Sequence, residues 1–220
     1  MEQHLHRTPL YKLNMNVVPL KYDIRMRPNF NDYRRFDANL ETKVKVLEAC
    51  NEILMHAVKL NLKDVEFKTN VGKSKSRIDQ KKLELLIDFL PFVSGTAFKP
   101  EKILHDEENE IVKIFFGNKN VIPTGEGVLC IKYDGDIYDR ELKGMYRNEW
   151  NQDVRDMKDK CWIMTKLDGC QARMVMPCWD EPEFKANFKF QVELPEDLDC
   201  LFNEIQDREE RINGGLKRVS

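Results

Sequence analysis

Residues 177–182 read Pro177-Cys178-Trp179-Asp180-Glu181-Pro182, and no other stretch of the chain is as specific. Two prolines bracket an aromatic side chain and two adjacent carboxylates, which suggests a catalytic acid pair. Adjacent side chains on an extended segment point in opposite directions, however, so Asp180 and Glu181 are poorly placed to share one site. We therefore expect a structural corner, in which Asp180 accepts backbone N–H bonds in the turn that the prolines set.

Other signs of catalysis are weak. Cys178 precedes an aromatic residue, but no histidine lies near it in sequence, which favours a structural thiol over a nucleophile. The chain has no G-x-S-x-G motif, and Gly125-Glu126-Gly127 lacks the third glycine and the helix of a phosphate loop. We expect no catalytic residue in this chain.

A metal site is not indicated either. The chain contains no H-E-x-x-H and no C-x-x-C, and its histidines are His4, His6, His56 and His105. His56 follows the apolar run Ile53-Leu54-Met55, which is typical of a core or sheet-face histidine. The sequence therefore predicts no metal ligands and no bound cofactor.

Composition limits the partners. The chain has 36 Lys and Arg against 38 Asp and Glu, a formal net charge of −2 that gives no field for nucleic acid or an anionic membrane. Residues Asp106, Glu107, Glu108 and Glu110 are interpreted as a solvated loop face. No apolar run reaches the roughly 18 residues of a membrane span, and no signal peptide is recognisable. These features predict a cytoplasmic location by default, with free thiols; an incomplete N-terminus leaves a plasma-membrane or extracellular location, and disulfides, open.

Period-2 alternation of apolar and polar residues dominates the chain and predicts a mainly β, largely antiparallel domain. The alternation is strict over Leu20–Arg27, Phe36–Val46 and Ala186–Leu194. Further strands are expected near Ile53–Leu62, Lys82–Leu90, Ile111–Phe116, Val128–Tyr133 and Cys161–Met164. Gln152–Lys160 has the polarity of a loop or a short helical turn, and Leu201–Ser220 shows no strand pattern.

The motif at residues 177–182 resembles a run in the aminopeptidase N family of zinc metallopeptidases, T-Q-x-E-P-x-D-A-R-x-x-F-P-C-[FW]-D-E-P-x-x-K-A-x-F. The spacing agrees without gaps, and the matching residues are Thr165, Ala172, Arg173, Pro177, Cys178, Trp179, Asp180, Glu181, Pro182, Lys185, Ala186 and Phe188. Earlier segments also resemble family motifs: the opening Val17–Ile24, then Phe36, Ile53–Leu60 and Gly144–Arg147.

This resemblance implies a saddle-shaped, antiparallel β-sandwich-like domain, the N-terminal domain of such enzymes, which packs on a separate catalytic domain. The catalytic motifs of the family, G-A-M-E-N and H-E-x-x-H, do not occur here. Zinc is thus expected in the full-length family and not in this chain. The implied organisation is a flexible N-terminal extension over residues 1–14, the β domain over 15–200, and an irregular charged segment over 201–220 that leads toward the absent catalytic domain.

The chain departs from the family pattern at one position of functional interest. The family glutamine that helps to form the pocket for the free amine of the peptide is replaced by Lys166. An amide donates and accepts hydrogen bonds, whereas an ammonium only donates. The resemblance therefore implies that recognition of the peptide amino terminus is lost or altered. Asp168, Gly169 and Gln171 also replace the family residues at their positions.

Two functions are expected on these grounds. The first is a non-catalytic N-terminal domain of an aminopeptidase, inactive by itself, whose partner is the catalytic domain. The alternative is a free-standing pseudo-peptidase domain that binds peptides or a protein partner, such as a full-length relative. A generic β-sandwich adhesion module is disfavoured, because it would not explain the ordered motif matches.

Overall fold

The computed structural model describes residues 12–69, 96–139, 141–149 and 161–220. These ranges contain β-strands, one 3-10 helix at Ala172–Met174 and no α-helix. The strands are β1 (Val17–Pro28), β2 (Arg35–Val46), β3 (Glu52–His56), β4 (Asn61–Thr69), β5 (Ala97–Phe98), β6 (Lys102–Asp106), β7 (Ile111–Phe115), β8 (Gly125–Asp136), β9 (Tyr138–Asp139), β10 (Gly144–Glu149), β11 (Cys161–Lys166), β12 (Asn187–Pro195), β13 (Glu209–Ile212) and β14 (Leu216–Val219). No helix in these ranges has the length and apolarity needed to cross a bilayer.

The strands form three sheets. The largest has eight strands in the order β13-β14-β12-β1-β2-β8-β4-β5, and the two small sheets have the orders β3-β7-β6 and β11-β10-β9. All strand pairs are antiparallel except β1 with β12 and β9 with β10. The prediction of a mainly β, antiparallel, sandwich-like domain is confirmed.

Alternation in the sequence becomes alternation of burial in β1 and β2, which pair with each other along their length. In β1, Tyr22, Ile24 and Met26 are at most 1% exposed, and their neighbours on the other face are open to solvent or half-buried. In β2, Phe36 and Leu40 are each 1% exposed and point into the same core. Each such side chain contributes about 1.5–3 kcal/mol through burial, so this pattern fixes the register of the sheet.

The core is packed closely where β8 pairs with β4 in the large sheet. A Cβ atom on Gly127 would lie 2.4 Å from Cζ of Phe67 and 2.9 Å from the backbone oxygen of Lys68. Phe67 is fully buried, so it has little room to move away. We expect Gly127→Ala to lower the free energy of unfolding by about 1–3 kcal/mol, measured by urea denaturation. The neighbouring exposed substitution Glu126→Ala is the control and should change it by less than about 0.5 kcal/mol; equal effects would contradict the packing argument.

Two predictions made from the pattern are wrong. The single strand expected over Ile53–Leu62 is divided between β3 and β4, because the chain turns at Lys59, which has a positive φ of 53°. The C-terminal segment is not irregular throughout: β13 and β14 form a hairpin that joins β12. Gly214 and Gly215, with φ of 83° and 69°, make its turn possible.

Some expectations lie outside the described residues. These are the strand at Lys82–Leu90, the polar segment at Gln152–Lys160 and the first eleven residues of the N-terminal extension. The end of that extension belongs to the folded domain, since Leu13 is 3% exposed and is part of the core. The other domain boundaries remain predictions.

Candidate functional site

The motif at residues 177–182 is held by backbone pairing with the end of β3. The His56 N–H donates to the Cys178 oxygen at 2.8 Å, and the Cys178 N–H donates back to the His56 oxygen at 3.0 Å. Pro177, Cys178 and Trp179 are buried, while Pro182 at the far end is exposed. Burial raises the pKa of the Cys178 thiol well above its usual value, so this thiol stays protonated and unreactive.

Two buried tyrosines of the large sheet hold the motif and the segment that precedes it. The hydroxyl of Tyr22 on β1 accepts the Trp179 N–H at 3.1 Å, and the hydroxyl of Tyr133 on β8 donates to the Val175 oxygen at 3.0 Å. Burial raises the pKa of both hydroxyls far above their usual range. Both therefore serve as neutral hydrogen-bonding groups.

We call the motif at residues 177–182, together with Arg173 and the residues that contact it, the corner. Arg173 lies at its centre and is 0% exposed. Its Nε donates to Asp180 Oδ2 at 3.0 Å, its Nη2 to the Asp180 backbone oxygen at 3.1 Å and its Nη1 to Glu110 Oε2 at 2.9 Å. Its backbone N–H also donates to Asp180 Oδ2, at 3.3 Å. Burial disfavours the charge, but the hydrogen bond and charge of Asp180, with the charge of Glu110, outweigh it and raise the pKa of Arg173.

The adjacent carboxylates of the motif point to different partners. Asp180 faces Arg173, whereas Glu181 Oε1 accepts the Leu13 N–H at 2.8 Å. Ala172, half-buried, opens the 3-10 helix that carries Arg173, and Lys185 is exposed beyond the corner. With both carboxylates engaged by different parts of the chain, the geometry offers no shared acid–base pair.

His56 lies behind Asp180 and is also 0% exposed. Its Nδ1 accepts the Asp180 N–H at 3.2 Å, which places its proton on Nε2. Among the described residues Nε2 has no hydrogen-bond partner, and Glu181 Oε1 lies 3.8 Å away. Burial, followed by the charge of Arg173, lowers the pKa of His56 to about 4, with Asp180 opposing the shift.

These residues do not fit a zinc ion. The described part of the chain contains no group of three or more His, Cys, Asp or Glu side chains that could hold a metal. His56 uses Nδ1 for a backbone N–H, and its Nε2 faces a single carboxylate. The residues around His56 therefore do not form a set of zinc ligands.

Lys166 has a different environment from the corner. It is the last residue of β11, is exposed, and pairs in register with Gly144 of β10. The loop that follows turns sharply through Gly169 and Cys170, whose φ angles are 68° and 69°. It ends at Gln171, whose Oε1 accepts the Gly144 N–H at 3.2 Å. The side-chain amide thus fastens the loop to the strand opposite Lys166.

The contributions of Glu110, Tyr22 and Tyr133 were not predicted. Glu110 is 45% exposed at its side chain, as a solvated loop face requires, but it also pairs with Arg173. Its positive φ of 59° and the bond from the Ala57 N–H to its oxygen hold it in place. The buried position of Tyr22 followed from the alternation of β1, but nothing local in the sequence indicated its partner.

The chain is similar to a known family model and to known proteins. Residues 18–219 match the family model described as the Peptidase M1 N-terminal domain. The chain is similar to Aminopeptidase M1 of Arabidopsis thaliana, with 31% identity over 206 residues that make up 93% of this chain and 20% of that protein. It is also similar to Aminopeptidase M1-B of Oryza sativa subsp. japonica (31% over 91% of this chain, 19% of that protein) and to Aminopeptidase N of Canis lupus familiaris (25% over 88%, 18% of that protein). The chain spans about a fifth of the length of these relatives.

Proposed function

The chain belongs to the Peptidase M1 N-terminal domain family, and from this premise we propose that it acts as the non-catalytic first domain of a zinc-dependent aminopeptidase. The observation that carries the proposal is the match over residues 18–219, in a chain equal to about a fifth of relatives named as aminopeptidases. Removal of N-terminal residues from peptides would then be performed by a separate domain that holds the zinc.

Exposed apolar side chains near β12 support a partner domain. Phe188 is 58% exposed although it stacks on Tyr22 at 4.8 Å between ring centroids. Leu201 and Ile205, in the segment after β12, are 91% and 95% exposed. A large exposed apolar patch often marks an interaction surface, and we propose that these three side chains contribute to one. A domain following this one in a longer protein is the occupant that fits the proposal.

Activity measurements test whether hydrolysis requires a separate domain that holds the zinc. We expect the 220-residue chain to leave an aminoacyl reporter substrate uncleaved in the presence of zinc, and a longer product with H-E-x-x-H to cleave it. Sequencing the reading frame beyond Ser220 tests whether such a product is encoded. Zinc-dependent hydrolysis by the 220-residue chain alone would overturn the proposal.

The lysine at position 166 is expected to weaken recognition of the peptide amine. At this position a family member carries a glutamine that helps to bind the amine of the peptide, and an ammonium there repels that amine by about 1 kcal/mol at ~4 Å in water. In the longer product, Lys166→Gln is expected to lower KM for unblocked peptides about fivefold with kcat little changed. Lys102→Gln, an exposed lysine on β6, is the matched control. No difference between the two variants would contradict the role of Lys166.

The alternative is a free-standing domain that binds peptides or a protein partner. The exposure of Trp162 and Met164 beside Lys166 favours it, because these side chains offer an apolar surface next to a charge. The reading frame beyond Ser220 distinguishes the two proposals: a stop codon there supports the alternative, and the missing catalytic motifs support the first. The cytoplasmic location remains a prediction under either.

A further inference from the structure

The small sheet β11-β10-β9 has one face packed on the core and one turned outward. Met145 of β10 is 3% exposed, and Ile163 of β11 packs against the same core. Because side chains alternate along a strand, Trp162, Met164 and Lys166 lie together on the opposite side. We call Tyr138, Tyr146, Trp162, Met164 and Lys166 the outer face.

Register shows that the aromatic and thioether groups form a row across the outer face. Tyr146 pairs with Met164 on one side and with Tyr138 on the other. The Tyr146 hydroxyl lies 3.9 Å from the Met164 sulfur. Trp162 and Met164 are 55% and 38% exposed. An aromatic ring and a thioether at this exposure offer an adaptable apolar surface to a ligand.

Three lysines lie around this row, together with the carboxylates of Asp136 and Glu141 near Tyr138. Lys166 is exposed and forms no ion pair with any of the described residues. The ammonium groups of Lys59 and Lys143 lie 5.8 and 5.6 Å from the centre of the Tyr138 ring, and Lys143 also pairs with Glu141. A carboxylate on a ligand would therefore meet its opposite charge most directly at Lys166.

The spacing along β11 fits an extended chain. Side chains two residues apart on a strand lie about 6.6–6.8 Å apart on the same face. An extended peptide presents its own alternate side chains at the same spacing. An acidic residue opposite Lys166 would thus bring the second residue after it opposite Met164, and the fourth opposite Trp162.

We propose that the outer face binds an extended peptide that carries an acidic side chain against Lys166 and apolar side chains against Met164 and Trp162. The inference rests on the proposed function for the view that a peptide reaches this face, and it adds the chemical class of that peptide. It concerns the side chains of the ligand and not its amine.

Peptides with an acetylated amino terminus have no free amine. They therefore test recognition of the ligand side chains separately from recognition of its amine. The probes are acetyl-Glu-Ala-Leu-Ala-Leu-amide and acetyl-Lys-Ala-Leu-Ala-Leu-amide, titrated into the 220-residue chain while the indole N–H of Trp162 is followed by NMR. We expect the Glu peptide to bind about three- to fivefold more tightly than the Lys peptide, as for an exposed ion pair. Lys166→Glu should reverse this preference, and the control Lys102→Glu should leave it unchanged.

Each outcome is decisive for the inference. Absence of binding, binding that leaves the Trp162 signal unmoved, or a charge preference that survives Lys166→Glu would overturn it. Those results leave the aminopeptidase proposal intact, because that proposal is tested by activity of the longer product. Conversely, reversal by Lys166→Glu supports the inference even if Lys166→Gln does not change KM.

Discussion

Replacing Arg173 with methionine is expected to lower the free energy of unfolding by about 3–5 kcal/mol, which is the usual cost of removing one partner of a buried ion pair. Methionine fills a similar volume, so the loss comes from charge and hydrogen bonding and not from a cavity. The Asp180 side chain is 17% exposed and would be left without its guanidinium partner. The Glu110 side chain, at 45% exposed, can be solvated by water and should contribute little of the effect.

The geometry of Arg173 matters as well as its charge. Its guanidinium contacts both the carboxylate and the backbone oxygen of Asp180, which a single ammonium cannot reproduce. Arg173→Lys should therefore lose about half as much stability as Arg173→Met. If the loss is the cost of an unpaired carboxylate, the double variant Arg173→Met with Asp180→Asn should be more stable than the sum of the single effects predicts.

A surface arginine supplies the control for urea denaturation. Arg211 is 85% exposed at its side chain and lies 3.6 Å from Glu196, so Arg211→Met should change the unfolding free energy by less than about 1 kcal/mol. An Arg173→Met effect no larger than the Arg211→Met effect would show that the corner does not hold the fold together. Additive effects of Arg173→Met and Asp180→Asn would show that the two side chains act independently.

Local rules predicted the parts of the fold that depend on neighbours in sequence. Alternation fixed the faces of β1 and β2, since the direction of a side chain on a strand is set by its position alone. The opposite directions of Asp180 and Glu181 follow from the same rule. Contacts between distant segments could not be predicted in this way: Asp180 meets His56 across 124 positions, and Arg173 meets Glu110 across 63.

The C-terminal hairpin shows why alternation of apolar and polar residues did not predict every strand. β13 is the edge strand of the large sheet and β14 lies beside it. Glu210 and Arg218 pair with each other here, and charge is tolerated on both faces. Even Lys217, 8% exposed, lies on a mostly covered face beside Glu209. An edge strand of this composition lacks the apolar alternation that made β1 and β2 recognisable, and only the two glycines of its turn were informative.

His56 is expected to make the fold sensitive to acid. Its pKa is about 4 in the folded chain, against 6.5 for the free side chain, so the unfolded chain binds the proton more readily. The stabilising contribution of the neutral ring is therefore complete above pH 6.5 and is lost as the pH falls toward 4. A difference of this size corresponds to about 3 kcal/mol of unfolding free energy across that interval. Protonation of Nδ1 would also remove the acceptor of the Asp180 N–H.

Comparison with His56→Asn isolates this effect from that of the other titrating groups. An asparagine oxygen can accept the Asp180 N–H but does not titrate, so the variant should lose less stability than the parent chain between pH 7 and pH 4. His105→Asn, on the exposed strand β6, should follow the parent curve. The measurement is the unfolding free energy in urea at several pH values, with the His56 ring followed by NMR.

Parallel curves for His56→Asn and the parent chain, or a His56 that titrates near 6.5, would show that the ring is not held neutral by the corner. A flatter curve for His56→Asn alone would assign the acid sensitivity to the contact between β3 and the motif at residues 177–182, since no other histidine contacts that motif in the described ranges.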